Sequence, residues 1–275
     1  MALAAQRGAY GVALQGLLER SPLLLDAPAD WATARWEHAT AAGAAARGVR
    51  RITTTSPDGA LLDVTADPPR CTLVSPVRPD DRALVHPWLS TVAAYWAWAR
   101  GDVTLHGAVV EVDGRAWAVL GEKESGKSTL TAWCGLAGLP SGGDDLVVVH
   151  SGDRVLCGPA AVDLRAPAAA RLGVGDRVEL VPGRVRWRLD VARAAPVLPL
   201  AGFVVPGWGA EALAPVPLPA RFAALARNTY VRDLRGRERD VLRLVGLPVL
   251  QWTRPRDLDL LDATATRLVA ALRAH

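Results

Sequence analysis

Apolar and polar positions along the chain change period several times. Alternation of period two runs through Val103-Thr-Leu-His-Gly-Ala-Val-Val-Glu-Val112 and resumes in Arg115-Ala-Trp-Ala-Val-Leu-Gly121. Between them stands Asp113-Gly114, a turn pair that predicts a β-hairpin. A second Asp-Gly pair, Asp58-Gly59, lies inside 48–68 and predicts another. From residue 80 the period lengthens. Leu89, Val92, Ala93, Trp96 and Ala99 recur at three and four residues after His86-Pro87, with Gly101 just beyond, which predicts a helix. Residues 128–139, stopping before Pro140, read as an apolar helix. Residues 254–275 read as an amphipathic one, with Leu258, Leu261, Ala265, Leu268, Val269 and Leu272 on one face. Short β segments, broken by Pro and Gly, are predicted from 141 to about 208. No internal repeat and no long linker divides the chain.

Composition changes this picture in three ways. No apolar run reaches the roughly 18–20 residues a membrane helix needs, and no secretion signal is apparent, so a cytoplasmic location is expected. Three separated cysteines, Cys71, Cys134 and Cys157, offer neither a disulfide framework nor metal spacing. The net charge is +4, but arginines alternate with acidic residues, so the basic side chains are read chiefly as a solvated surface. Neither a nucleic-acid nor a membrane partner is expected, and a homo-oligomer is left open. Trp96 and Trp98 are expected in packing rather than as a binding platform.

Only two of the 32 basic residues are lysines, Lys123 and Lys127, and both fall in one stretch. Gly121-Glu122-Lys123-Glu124-Ser125-Gly126-Lys127-Ser128 fits G-x-x-x-x-G-K-[ST], between a strand and a helix as that motif requires. Such a loop turns backbone N–H groups inward, and the following helix adds its positive end, so phosphates find a prepared anion site. Lys127 would reach the β- and γ-phosphates as a compact charge, Ser128 would ligate Mg²⁺, and Thr129 continues the first helical turn. Lys123 either points at phosphate or offsets Glu122 and Glu124, which are expected to face solvent. Asp144 and Asp145 follow at the start of the strand Leu-Val-Val-Val. They read either as a solvated turn or, beside a phosphate loop, as metal ligand and proton acceptor for phosphoryl transfer. His106, on the strand paired with the one entering the loop, is a further candidate.

The order LHGAVVEVDGRAWAVLG, GEKESGKST, DDLVVV resembles the catalytic core of the HPr kinase/phosphorylase family over residues 103–150. That resemblance implies an α/β fold: a P-loop-containing core related to phosphoenolpyruvate carboxykinase, with a mixed β-sheet, over 101–275. A small N-terminal α+β region would occupy 1–100. It further implies ATP and Mg²⁺, with Asp144 as general base toward a serine hydroxyl, Ser128 and Asp145 on the metal, and His106 lining the phosphate pocket. The family's loop carries Ser-Gly where this chain has Lys123-Glu124. Its glycine-rich signature after the carboxylates is missing, with Arg165 as the one counterpart for an acidic-group contact. The chain therefore looks more like divergent members that phosphorylate peptides, including lasso-type precursors, than like enzymes acting on HPr. The expected partner is a peptide or small protein bearing an acceptor serine. Arg184, Arg186, Arg188, Arg227 and Arg232 would steer it or simply lie on the surface. Two rival functions are a kinase of a small metabolite and a nucleotide-binding module without catalysis, the latter favoured by Glu124.

Overall fold

The computed structural model describes residues 6–40, 51–55, 60–181, 183–231 and 238–275. Seven strands come first: β1 (Arg7–Ala9), β2 (Val12–Gly16), β3 (Leu25–Asp26), β4 (Ala32–Ala39), β5 (Arg51–Thr55), β6 (Leu61–Ala66) and β7 (Pro69–Val74). They form one mixed sheet in the order β3-β1-β2-β4-β7-β6-β5, with β2–β4 and β4–β7 parallel. The strands flanking Asp58-Gly59 pair antiparallel as expected, while the turn itself lies outside the described residues. A short α1 (Asp81–Ala83) leads through a kink at His86 into α2 (Ser90–Arg100). Helix α2 ends where Gly101 takes φ 99° and returns its N–H to Ala97 and Trp98 carbonyls. Its Val92, Ala93 and Trp96 are buried, and Trp96 Nε1 donates to Thr65 O at 2.9 Å, so this tryptophan is packing.

The remainder holds β8 (Val103–Val112), β9 (Arg115–Leu120), α3 (Lys127–Leu136), β10 (Ser141–Gly143), β11 (Leu146–His150) and β12 (Arg154–Leu156). Then come β13 (Ala161–Leu164), α4 (Ala166–Leu172), β14 (Asp176–Val181), β15 (Arg184–Asp190) and β16 (Val197–Trp208). Last are β17 (Ala212–Pro215), α5 (Leu218–Ala226), α6 (Glu238–Leu244), β18 (Val249–Arg254) and α7 (Leu261–Arg273). The Asp113-Gly114 hairpin forms in the expected register, Val112 opposite Arg115. Two long strands serve three partners each. The first half of β8 pairs with β11 and the second with β9 and β10; β16 starts on β12 and continues on β9 and β18. The pairings β8-β11-β12-β16-β9-β8 thus close on themselves. Residues 161–190, read from sequence as β alone, include α4: Pro167 sits in its first turn and left-handed Gly173 (φ 67°) stops it. Strands β13, β15 and β14 make a separate small sheet.

Packing decides where the site lies. Strand β11 is apolar on both faces. Leu146 and Val148 join the core of the first seven strands and α2, whereas Val147 and Val149 face the core inside the strand ring. The segments 1–100 and 101–275 therefore share a core across the expected boundary. On the opposite side of the hairpin, α7 lays Leu261, Ala265, Leu268, Val269 and Leu272 against Val110, Val112, Trp117 and α3. Burying each Leu or Val is worth about 1.5–3 kcal/mol, enough to fix α3 and the loop before it. The three cysteines are free and buried.

Candidate phosphate-binding and acid-pair site

Strand β9 runs into the loop 121–126, and α3 begins at Lys127. Gly121 (φ 144°) and Gly126 (φ 89°) hold left-sided conformations that favour glycine. The N-cap of α3, Gly126, supplies no side-chain cap, so the amides of the first turn lack an internal acceptor. Ser125 Oγ is buried with no hydrogen-bond partner among the described residues. Lys127 is 8% exposed, and its Nζ donates to the carbonyls of Gly121 (2.6 Å) and Glu122 (2.9 Å). Burial lowers its pKa, against the opposing pull of Asp144 and Asp145. An uncapped helix end, an orphan hydroxyl and a buried ammonium together suit a polyphosphate.

Glu122, Lys123 and Glu124 are exposed and Thr129 is half-buried. Glu124 has φ 70°, a conformation that costs a non-glycine residue roughly 1–2 kcal/mol. Its carboxylate meets Arg165 at 2.9 Å and Arg256 at 3.8 Å, which neutralises the repulsion that a carboxylate beside phosphate would exert. Arg165 thus contacts the loop.

The acid pair occupies the corner between β10 and β11, where both strands lean on β8. Gly143 (φ 122°) and Asp145 (φ 79°) turn the chain so that adjacent carboxylates serve different neighbours. Asp144 Oδ1 accepts from Ser128 Oγ at 3.2 Å and from the Asp145 amide at 3.1 Å, and its Oδ2 from the Asp163 amide at 3.4 Å. Burial and then Asp145 push its pKa up to about 6. Asp145 faces the other way. His106 Nδ1 is 3.3 Å from its Oδ1, His86 Nδ1 is 3.5 Å from its Oδ2, and Tyr230 OH donates to Oδ2 at 3.3 Å. Burial lowers the His106 pKa, Asp145 opposing it, and raises that of the Tyr230 phenol. The structure therefore sets Asp144, rather than the expected Asp145, beside the Ser128 hydroxyl.

Long-range residues complete the site. Asn228, just after α5, accepts from the Gly121 amide through Oδ1 (2.9 Å), and its carbonyl accepts from the His106 amide (2.6 Å), tying loop to strand. Tyr10, Val85 and His86 from the first hundred residues line a pocket with Asp144, Asp163 and Arg188. Arg188, expected either to steer the acceptor or to lie on the surface, is 1% exposed and grips Asp163 through two bonds of 2.8 and 2.7 Å, with a third donated to Arg82 O. Arg184 approaches His86 Nε2 at 3.5 Å, Arg186 bonds the Val185 carbonyl, and Arg227 bonds the Ala223 carbonyl within its own helix end. Arg232 lies outside the described residues. Sequence reasoning missed His86, Asp163, Asn228, Tyr10 and Tyr230. Only the His86-Pro87 pair was visible, and it was read as punctuation. Among the described residues no group of three or more His, Cys, Asp or Glu side chains has metal-holding geometry. No described helix is long and apolar enough to cross a membrane.

No protein-family model matches the chain, and no curated protein matches it. Among solved structures it is similar to one described as the HPr(Ser) kinase/phosphatase from Coxiella burnetii, at 13% identity and a TM-score of 0.32. The match covers 62% of this chain and 99% of that one. At so distant a likeness, the site's own geometry carries the functional reading.

Proposed function

We propose that the chain is an ATP-dependent kinase that phosphorylates a serine hydroxyl of a peptide or small protein. The observation that carries this is the 3.2 Å contact between Ser128 and Asp144 at the start of α3, with Asp145 one residue away and facing differently. Ser128 and Asp144 would hold Mg²⁺, whose remaining ligands would be phosphate oxygens and water, as that ion prefers. The bound ion would neutralise charge on the transferring phosphoryl group. Lys127 neutralises the phosphate tail from the loop side. Asp145 receives the proton of the acceptor hydroxyl as its oxygen forms the bond to the γ-phosphorus and the bond to the β-phosphate oxygen breaks, leaving ADP. His106, His86 and Tyr230 orient that carboxylate. These roles reverse the assignment expected from sequence, in which Asp144 was the base and Asp145 the metal ligand.

Glu124, the residue that favoured a non-catalytic module, pairs outward with Arg165 and Arg256, and this weakens that rival. A peptide acceptor, of which a lasso-type precursor is one class, is favoured by Arg184 and Arg186. They share with Arg188 the face of β15 nearest the acid pair, and no carboxylate pairs with them among the described residues.

Calorimetry with Mg·ATP, alongside transfer of labelled γ-phosphate to a library of serine peptides, tests the assignment. Lys127→Ala is expected to abolish binding and transfer. Asp145→Asn is expected to keep Mg·ATP affinity within a few-fold while transfer falls by 10²-fold or more. Collapse of affinity in Asp145→Asn, with Asp144→Asn retaining it, would restore the sequence-based roles. Full transfer in both variants would end the acid-pair assignment, and no transfer by the wild type to any peptide of the library would end the kinase reading.

A further inference from the structure

Trp208 and Arg254 stand at the helix end of the loop and take no part in the transfer chemistry above. Arg254, the last residue of β18, is 3% exposed, and no carboxylate pairs with it among the described residues. It donates to Ser125 O at 3.1 Å and to Gly207 O at 3.5 Å. Its guanidinium centre lies 4.3 Å from the Trp208 ring centroid and 4.0 Å from that of Trp252. A Cβ added at Gly126 would collide with this guanidinium and come within 3.2 Å of Trp208 Cη2. A buried cation without a counter-ion is costly, and two indole faces recover part of that cost. A polyphosphate in the adjoining loop would supply the missing negative charge.

Trp208 ends β16 and is 40% exposed, the most exposed of the ten tryptophans. Four others, Trp36, Trp96, Trp117 and Trp252, are fully buried. A large indole left in solvent, with its edge on a phosphate loop and a guanidinium stacked against it, is a surface suited to a flat aromatic ligand. Arg256 lies 5.7 Å from the same ring, but its side chain is 70% exposed and its one ion pair among the described residues is with Glu124, at 3.8 Å, so it can yield to an incoming ring.

We propose that Trp208 is the stacking surface for the nucleobase of the triphosphate held by residues 121–128, with Arg254 fixing the indole and adding positive charge beneath the loop. This rests on the phosphate-loop reading above and extends it from the phosphates to the base.

The test is calorimetry of the full chain with Mg·ATP and, separately, with Mg·tripolyphosphate, which carries the phosphates without a base. Wild type is expected to bind ATP more tightly. Trp208→Leu, which keeps bulk but loses the π face, is expected to weaken ATP by about five- to hundredfold, the range set by a base–aromatic stack. Tripolyphosphate should change less than about twofold, while Trp208→Phe holds ATP near the wild-type affinity. Thermal melting confirms that both variants are folded. Equal loss for ATP and tripolyphosphate would make Trp208 a prop for the loop and overturn the proposal. Unchanged ATP affinity in Trp208→Leu would do the same, as would wild type binding tripolyphosphate as well as ATP; in both cases the phosphate cradle stands. Wild type binding neither ligand would instead bring down the cradle itself.

Discussion

Asp144 carries its charge where the fold disfavours it, which makes Asp144→Asn an informative change in metal-free buffer. Burial, then Asp145, then Asp163 raise its carboxyl from an ordinary 3.8 to about 6, while His86 and the Ser128 hydroxyl oppose the rise. Lys127 also faces it, and Tyr10 lies nearby. Because the folded state holds the proton more tightly than the unfolded one, this group's stabilising contribution is complete below pH 3.8. It is lost as pH rises through about 6. The gap between those two values corresponds to about 3 kcal/mol, which partial exposure trims to on the order of 2. An asparagine keeps an oxygen for Ser128 and the Asp145 amide but turns an NH₂ toward the Asp163 amide, a loss of about 1 kcal/mol. The variant is therefore expected to be about 1–2 kcal/mol more stable than wild type at pH 7.5, and close to equal at pH 4. Urea unfolding in the presence of a chelator, repeated between pH 4 and 8, measures this. A difference that does not vary with pH, or a loss of stability at pH 7.5, would refute the reasoning.

Three further outcomes are expected. Glu124→Gly removes both the left-handed strain and two exposed ion pairs worth little each, so urea midpoints should give a stability within about 1 kcal/mol of wild type. Mg·ATP affinity, by calorimetry, should be equal or higher. Arg188→Ala strands Asp163 among buried neighbours and should cost about 3–5 kcal/mol, seen as a melting point lower by roughly 6–20 °C; Asp163→Asn in the same background should recover part of it. Gly126→Ala meets the Arg254 guanidinium and requires positive φ, so Mg·ATP binding should fall sharply while a circular-dichroism spectrum stays native.

What could be read from the residues was local. The Asp113-Gly114 turn fixed a hairpin register, the two loop glycines marked the chain reversals before α3, and the spacing of Leu261, Ala265, Leu268 and Leu272 identified the buried side of α7. Short α4 was hidden because an alanine-rich segment of 7 residues is too brief for a helical period to show, although Pro167 and Gly173 bracket it. Which neighbours each acid faces was illegible because it turns on the backbone, with φ 122° at Gly143 and 79° at Asp145. Arg188 looked like any of the abundant surface arginines until β13 and β15 paired and brought Asp163 opposite it. Tyr10 and His86 reach the site only through the core shared by the two halves of the chain, and Asn228 only through the packing of α5 inside the strand ring, and no spacing encodes that.

Strand β11 has a consequence for how this sequence can drift. A slipped strand is usually penalised because it swaps an oily side for a wet one, yet Leu146, Val147, Val148 and Val149 are all oily, and a shift by one would cost them little. Alignment must come from the polar bookends. At one end sit the acids with His106 and Ser128; at the other, His150 bonds Asp102 at 2.6 Å, and Arg100 clasps the same carboxylate at 2.8 Å. The valines can trade places with one another over evolutionary time, whereas Asp102, at the far end of the strand, anchors the ruler by which the Asp144-Asp145 pair is placed.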